Sequence, residues 1–195
     1  MPDNFSIKDI RSNNPNAFKA LVENHQDKVI NTCHRFLNNR EDAEDAAQEV
    51  FIEVYKSIDR FREESKLSTW IYRIAVTKSL DMIRKQKRKK RFGKLQQMMG
   101  FEYQPDQIPD KKELNPLDNT ESIERYNILH QAIDALVENQ KVAITLSKLE
   151  GFSNNEIADI METSQSSVDS LIHRAKKNLY NKLYRYYKKN NDLFK

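Results

Sequence analysis

Apolar positions along the chain recur at helical spacing. Between Ala17 and Leu37 they fall at Phe18, Leu21, Val22, Val29, Cys33, Phe36 and Leu37, steps that draw one stripe along a helix. A second and more continuous stripe runs through Ala43, Ala46, Ala47, Val50, Phe51, Val54 and Ile58, its alanines letting a neighbouring helix approach closely. After a polar break, REESK at 62–66, a third follows with Leu67, Trp70, Ile71, Ile74 and Ala75 on its inner face. Periodicity lapses over 92–121, which holds Pro105, Pro109 and Pro116. It resumes at Tyr126, Leu129, Ile133, Leu136 and Val137 and continues through Val142, Leu146 and Leu149. The pattern predicts an all-α protein of two small helical domains, 15–91 and 122–187, joined by a flexible linker at 92–121. An N-terminal tail at 1–14 and a basic C-terminal tail at 188–195 flank them.

The segment from Leu149 to Leu179 reads as two short helices joined by a tight turn. Ser153 and Glu156 form an S-x-x-E capping box that starts the first helix, which is expected to bury Ile157, Ala158 and Met161. Ser164 is positioned to cap the second, whose inner face carries Val168, Leu171, Ile172, Ala175 and Leu179. Its outer face holds Gln165, Ser166, Ser167, Asp169, Ser170, His173, Arg174, Lys176 and Lys177. Short hydrogen-bonding side chains followed by cations suit entry into a DNA major groove with phosphate clamping. Any two packed helices of a bundle could imitate the pattern. Glu162 falls where the turn needs a left-handed backbone, a placement costing about 1 kcal/mol.

Composition narrows the classes. The 195 residues include only 3 Gly, which favours helices over hairpins. Leu, Ile, Val and Phe number 48, enough for a core. The single cysteine, Cys33, cannot form an internal disulfide and reads as a small buried apolar group. The four histidines lack zinc-type spacing, and His25 and His34 read as surface or core-edge residues, so no metal site is expected. No signal-peptide core and no membrane-spanning apolar run occurs, so the chain reads as soluble and cytoplasmic. Phosphate-binding glycine loops and other cofactor signatures are absent from the sequence, and no cofactor or catalytic residue is expected.

A net charge of +4 conceals strong segregation. Residues 41–64 hold nine acids and three bases, with Glu41, Asp42, Glu44, Asp45, Glu49 and Glu53 clustered on the outer face of the second stripe. A solvated face with favourable acids at a helix start is one explanation. Residues 84–94, RKQKRKKRFGK, carry eight bases and no acid, and residues 170–195 sum to +7. Self-repulsion of that size is relieved by a polyanion. A localisation signal or a solvated helix end is the competing reading of the 84–94 run.

RFLNNREDAEDAAQEVFIEVYKSI, then KLSTWIYRIAVTKSLDMIRKQKRKKR, then the helix-turn-helix, resemble the two conserved regions of sigma-70 family factors of bacterial RNA polymerase. The form without a separate middle domain is similar to the extracytoplasmic function (ECF) group. The resemblance spans roughly residues 15–185 and assigns 15–91 to region 2 and 122–187 to region 4.

The resemblance implies partners and site residues. The acidic helix would dock on the clamp helices of the polymerase β′ subunit through Asp45, Gln48 and Glu49, and region 4 would meet the β flap. The loop between Phe61 and Leu67 matches the family's pocket for a base flipped from the non-template strand. Minus-ten contacts would fall on Phe61, Lys66, Thr77, Lys78, Asp81, Arg84, Lys85, Lys87 and Arg88. Thr77 stands where relatives often have Asn, and Trp70 is expected to pack in the core rather than stack on a base. Minus-thirty-five contacts would fall on Ser166, Ser167, Asp169, Ser170, His173, Arg174 and Lys177. Asp169, often basic in relatives, could accept from cytosine N4 but would repel a phosphate. The linker acids Asp106, Asp110, Glu113, Asp118 and Glu121 would mimic nucleic acid on the way to the RNA exit channel. An anti-sigma protein is a further implied partner, and no membrane insertion is implied.

Two other classes compete. A helix-turn-helix repressor or activator would bind operator DNA without polymerase. A DNA enzyme would need a metal, for which Glu44, Asp45 and Glu49 are the conceivable ligands.

Overall fold

The computed structural model describes residues 6–98 and 120–191, all helix and short connections, with no strand among the described residues. The chain divides into two compact units, one on each side of the boundary between Lys112 and Glu113.

In the first unit, α1 (Ile7–Arg11) leads into α2 (Pro15–Leu37), α3 (Arg40–Ser57), a single 3-10 turn (Ile58–Arg60) and α4 (Leu67–Met98). Helix starts and stops follow local chemistry. Asn14 Oδ1 accepts from the backbone N–H of Asn16, and Pro15 takes the first helical position, where its missing N–H costs nothing. Asn38, left-handed at φ 56°, closes α2, and the next residue, Asn39, caps α3 by accepting from the N–H of Asp42. Two asparagines thus reverse the chain and bring α2 and α3 together. Leu21, Val29 and Cys33 of α2 meet Ala43, Ala46, Ala47, Val50 and Val54 of α3 and Ile71 and Ala75 of α4 in one core.

Residues 6–12, expected as part of a tail, are folded onto that core. Ser6 caps α1 by accepting from the N–H of Lys8, and Ile10 is only 1% exposed. Helix α4 continues to Met98, past the expected linker start at 92, because nothing in the basic run breaks a helix except Gly93. Linker residues Asp106, Asp110, Glu113 and Asp118 lie outside the described residues, whereas Glu121 falls at the start of the next helix.

The second unit holds α5 (Thr120–Asp134), α6 (Glu138–Lys148), α7 (Asn154–Met161) and α8 (Gln165–Asn191). Its core joins Ala143 and Leu146 of α6 to Ile157 and Ile160 of α7 and Val168, Ile172 and Ala175 of α8. Ile160 is buried where Met161 was expected, because α7 packs against both α6 and α8 and buries more than one stripe. Val137 is the N-cap residue of α6 and is exposed. Nearly buried Lys141 is neutralised by Asp134 at 2.7 Å, and buried Gln140 accepts from Asn178 Nδ2 at 2.9 Å. Helix α8 runs past the expected tail boundary at 188. No described helix is long and apolar enough to cross a membrane.

Candidate functional site

In the first unit the acidic and basic faces, separate in the sequence, line opposite sides of one groove of about 1190 Å3. Asp45, Gln48 and Glu49 of α3 are exposed along one wall, with Ile52 beside them and 45% exposed. Across it stand residues of α4, including Asp81, Arg84, Lys85, Lys87 and Arg88. Two contacts tie the walls: Lys78 Nζ to Glu53 Oε2 at 3.1 Å, and Gln86 Nε2 donating to Asp42 Oδ2 at 3.0 Å. Opposite charges on packed helices offset the repulsion within each face.

The nine residues expected to meet minus-ten DNA separate into three groups. Lys85, Lys87 and Arg88 are exposed on the basic run of α4, and Lys66 is exposed in the loop. Thr77, Lys78, Asp81 and Arg84 already have intramolecular partners. The Thr77 hydroxyl donates to the carbonyl of Arg73 at 2.9 Å, Lys78 pairs with Glu53, and Arg84 pairs with Asp81 at 2.9 Å. Phe61 departs from expectation. The residue is 4% exposed and its ring lies 5.2 Å from that of Trp70, so it anchors the loop from below. Trp70 is itself packed against the core, as its place on the apolar stripe implies.

The loop from 62 to 66 is held at both ends by buried Phe61 and Leu67. Arg11 reaches it from α1, donating from Nη2 to the carbonyl of Phe61 and pairing through Nη1 with Glu63 at 3.1 Å. Nothing local in the sequence marks Arg11, whose partners lie some fifty residues away.

In the second unit α7 and α8 form the expected helix-turn-helix. Ser153 and Glu156 make the full capping box, and Glu162 adopts φ 51°, ψ 49° at the turn, left-handed as anticipated. Ser164 caps α8, its Oγ accepting from the N–H of Ser167 at 3.2 Å and lying within hydrogen-bond reach of the hydroxyls of Ser166 and Ser167. Ser170, His173, Arg174 and Lys177 are exposed, with Arg174 Nε donating to the Ser170 carbonyl at 3.2 Å. Asp169 is exposed but occupied: its carboxylate accepts from Asn154 Nδ2 at the start of α7. Ser166, Ser170, His173 and Lys177 follow each other at steps of four and three, and the same steps continue to Tyr180, Tyr184 and Tyr187. These tyrosines are exposed, and the rings of Tyr180 and Tyr184 stack at 6.0 Å. The sequence pattern does not single out this aromatic extension.

Among the described residues no cluster of side chains has the composition of a metal site. The arrangement provides one groove of mixed charge, one loop clamped from α1 and one helix-turn-helix whose second helix carries exposed cations.

Comparison with known proteins agrees. Residues 21–89 match the model for sigma-70 region 2, and residues 126–179 match that for sigma-70 region 4. The chain is 33% identical to the ECF RNA polymerase sigma factor SigW of Bacillus subtilis, over 91% of this chain and 94% of that one. It is 31% identical to the ECF RNA polymerase sigma-E factor of Escherichia coli K12, over 94% and 95% respectively. Among solved structures it shares its fold with CnrH, determined in complex with the cytosolic domain of CnrY, at a TM-score of 0.64 and 20% identity over 92% of this chain and 95% of that one. It also shares it with the sigma factor RpoE of Bartonella quintana in complex with the anti-sigma factor NepR, at 0.57 and 21% identity over 86% and 96%. With both regions matched in order and relatives aligned along nearly its whole length, the chain belongs to the extracytoplasmic function group of the sigma-70 family of RNA polymerase sigma factors.

Proposed function

We propose that this chain directs core RNA polymerase to specific promoters and promotes DNA melting for transcription initiation, working in the cytoplasm and with no catalytic chemistry of its own. The observation that carries the reading is the presence, in one chain of this family, of the α3–α4 groove and the helix-turn-helix. Asp45, Gln48 and Glu49 provide the polymerase contact on the β′ clamp helices, because they are exposed together on one wall of the groove beside apolar Ile52. Lys85, Lys87 and Arg88 grip phosphates at the minus-ten element, and the 62–66 loop receives an unstacked base. Ser170, His173, Arg174 and Lys177 meet the minus-thirty-five element, with Ser166 and Ser167 at the entering end of α8. Region 4 also engages the β flap. An anti-sigma protein that covers the α3 face would hold the chain inactive.

An operator-binding repressor would leave the exposed acids of α3 without a partner, and the sigma reading accounts for them. Run-off transcription with core polymerase across a promoter library tests the function and reads its specificity. Specific transcripts that require this chain are expected. Tight, specific binding of duplex DNA by the chain alone, with no transcripts, would overturn the proposal.

A further inference from the structure

The geometry points to α1 as one wall of the base-receiving pocket, with Arg11 as the residue that holds the 62–66 loop in its receptive shape. The inference rests on the reading of that loop given above. A depression of about 520 Å3 opens between the two segments, with Ser6 and Lys8 on the α1 side and Glu63, Ser65 and Lys66 on the loop side. Hydroxyls, ammonium groups and a carboxylate ring a floor provided by Phe61 and Leu67. Polar groups around an apolar floor suit a planar heterocycle read along its edge.

The loop does not hold this form by its own preference. Glu63 sits at φ 59°, in the left-handed region that a glutamate avoids. None of residues 62–66 is buried and only Ser65 falls short of exposed, so burial within the loop contributes little. The strain is offset from outside, by the two contacts of one guanidinium. Arg11 pairs with the Glu63 carboxylate and donates to the carbonyl of Phe61, fixing both a side chain and the backbone at which the loop leaves the core. Arg11 is fixed in turn because Ile10, its neighbour, is buried in the core. Without Arg11 the loop would sample other shapes, and a base would meet its polar groups in no set geometry.

Arg11 is therefore a positioning residue, and its loss should affect discrimination between bases rather than docking to polymerase. Holoenzyme is assembled from core polymerase and the full chain, and its affinity is measured for forked promoter DNA carrying each of the four bases at each single-stranded minus-ten position. The wild-type holoenzyme is expected to prefer one base at one position. In Arg11→Ala that preference should fall about ten-fold, with affinity for core polymerase and for duplex minus-thirty-five DNA unchanged. Arg11→Lys, which can keep the ion pair but not the fork to Phe61, should recover part of it. Glu63→Gln removes only the ion pair from an exposed loop and should also lower it, which keeps the test valid if Arg11→Ala folds poorly. Full preference retained in Arg11→Ala, or in Glu63→Gln where the first variant does not fold, overturns the role of Arg11. A wild-type holoenzyme with no base preference anywhere in the strand overturns the reading of the loop itself, and this assignment with it.

Discussion

Asn154, the first residue of α7, donates its side-chain amide to the carboxylate of Asp169 in the second turn of α8. The bond crosses the helix-turn-helix at the end where α8 would enter the major groove. It gives Asp169 an occupation within the protein, at a position where a carboxylate facing DNA would either read cytosine or repel phosphate.

Replacing Asp169 with Asn should keep the bond to Asn154 while removing the charge. Holoenzyme carrying D169N is expected to bind minus-thirty-five duplexes about two-fold more tightly, in line with a screened surface charge. The base preferred at each position should stay the same. If Asp169 instead reads a base directly, preference at one position would change by about 1–3 kcal/mol. A binding series over single-base variants separates the two outcomes.

The exposed cations of α4 set a second expectation. Replacing Lys85, Lys87 and Arg88 together with Ala should weaken binding to promoter DNA with little change in its sequence ranking. The slope of log Kobs against log salt should become shallower by about 0.9 for every phosphate that these side chains neutralise. A titration of holoenzyme binding at several salt concentrations measures it, and an unchanged slope would remove these residues from the interface.

Lys78 is paired with Glu53 across α3 and α4. Both side chains are part-exposed, so the pair should contribute about 0.5 kcal/mol, measured as the coupling in a double-mutant cycle of E53Q and K78M by urea unfolding. Because the bond ties α3 to α4, K78M should lower affinity for core polymerase more than it alters the salt slope of DNA binding. The reverse pattern would return Lys78 to the minus-ten contacts.

What the sequence made legible, and what it hid, follows from the range of the interactions. The stripe from Ala43 to Ile58 is buried at every predicted position, because a period of 3.6 is set within one helix. The capping box and the left-handed Glu162 were equally readable, since each depends on neighbours within three or four residues. The burial of Phe61 against Trp70 was hidden because a loop position says nothing of the tryptophan beneath it. Arg11 with Glu63, Lys78 with Glu53 and Asn154 with Asp169 are joined across the fold, and no periodicity announces such pairs. Helix α4 runs past the expected linker start at 92, because charged residues are good helix formers yet carry no hydrophobic period that would mark how far the helix goes.

Thr145 offers a test of the second unit's core. It lies fully buried in the last turn of α6, and its hydroxyl has no hydrogen-bond partner, while its carbonyl accepts from the N–H groups of Leu149 and Glu150 just beyond the helix. Desolvating a hydroxyl without a partner costs about 1–3 kcal/mol. Thr145→Val replaces that hydroxyl by a methyl of nearly the same size, leaves the backbone bonds in place and keeps a β-branched side chain. The variant should therefore unfold at higher temperature, by an amount equivalent to about 1 kcal/mol, with promoter binding by the holoenzyme unchanged. Thr145→Ala, which removes the hydroxyl but leaves space behind, should gain less, because poorer packing offsets the relief. Thermal unfolding of the three proteins side by side gives the order, and a valine variant less stable than wild type would mean that the hydroxyl is satisfied in solution.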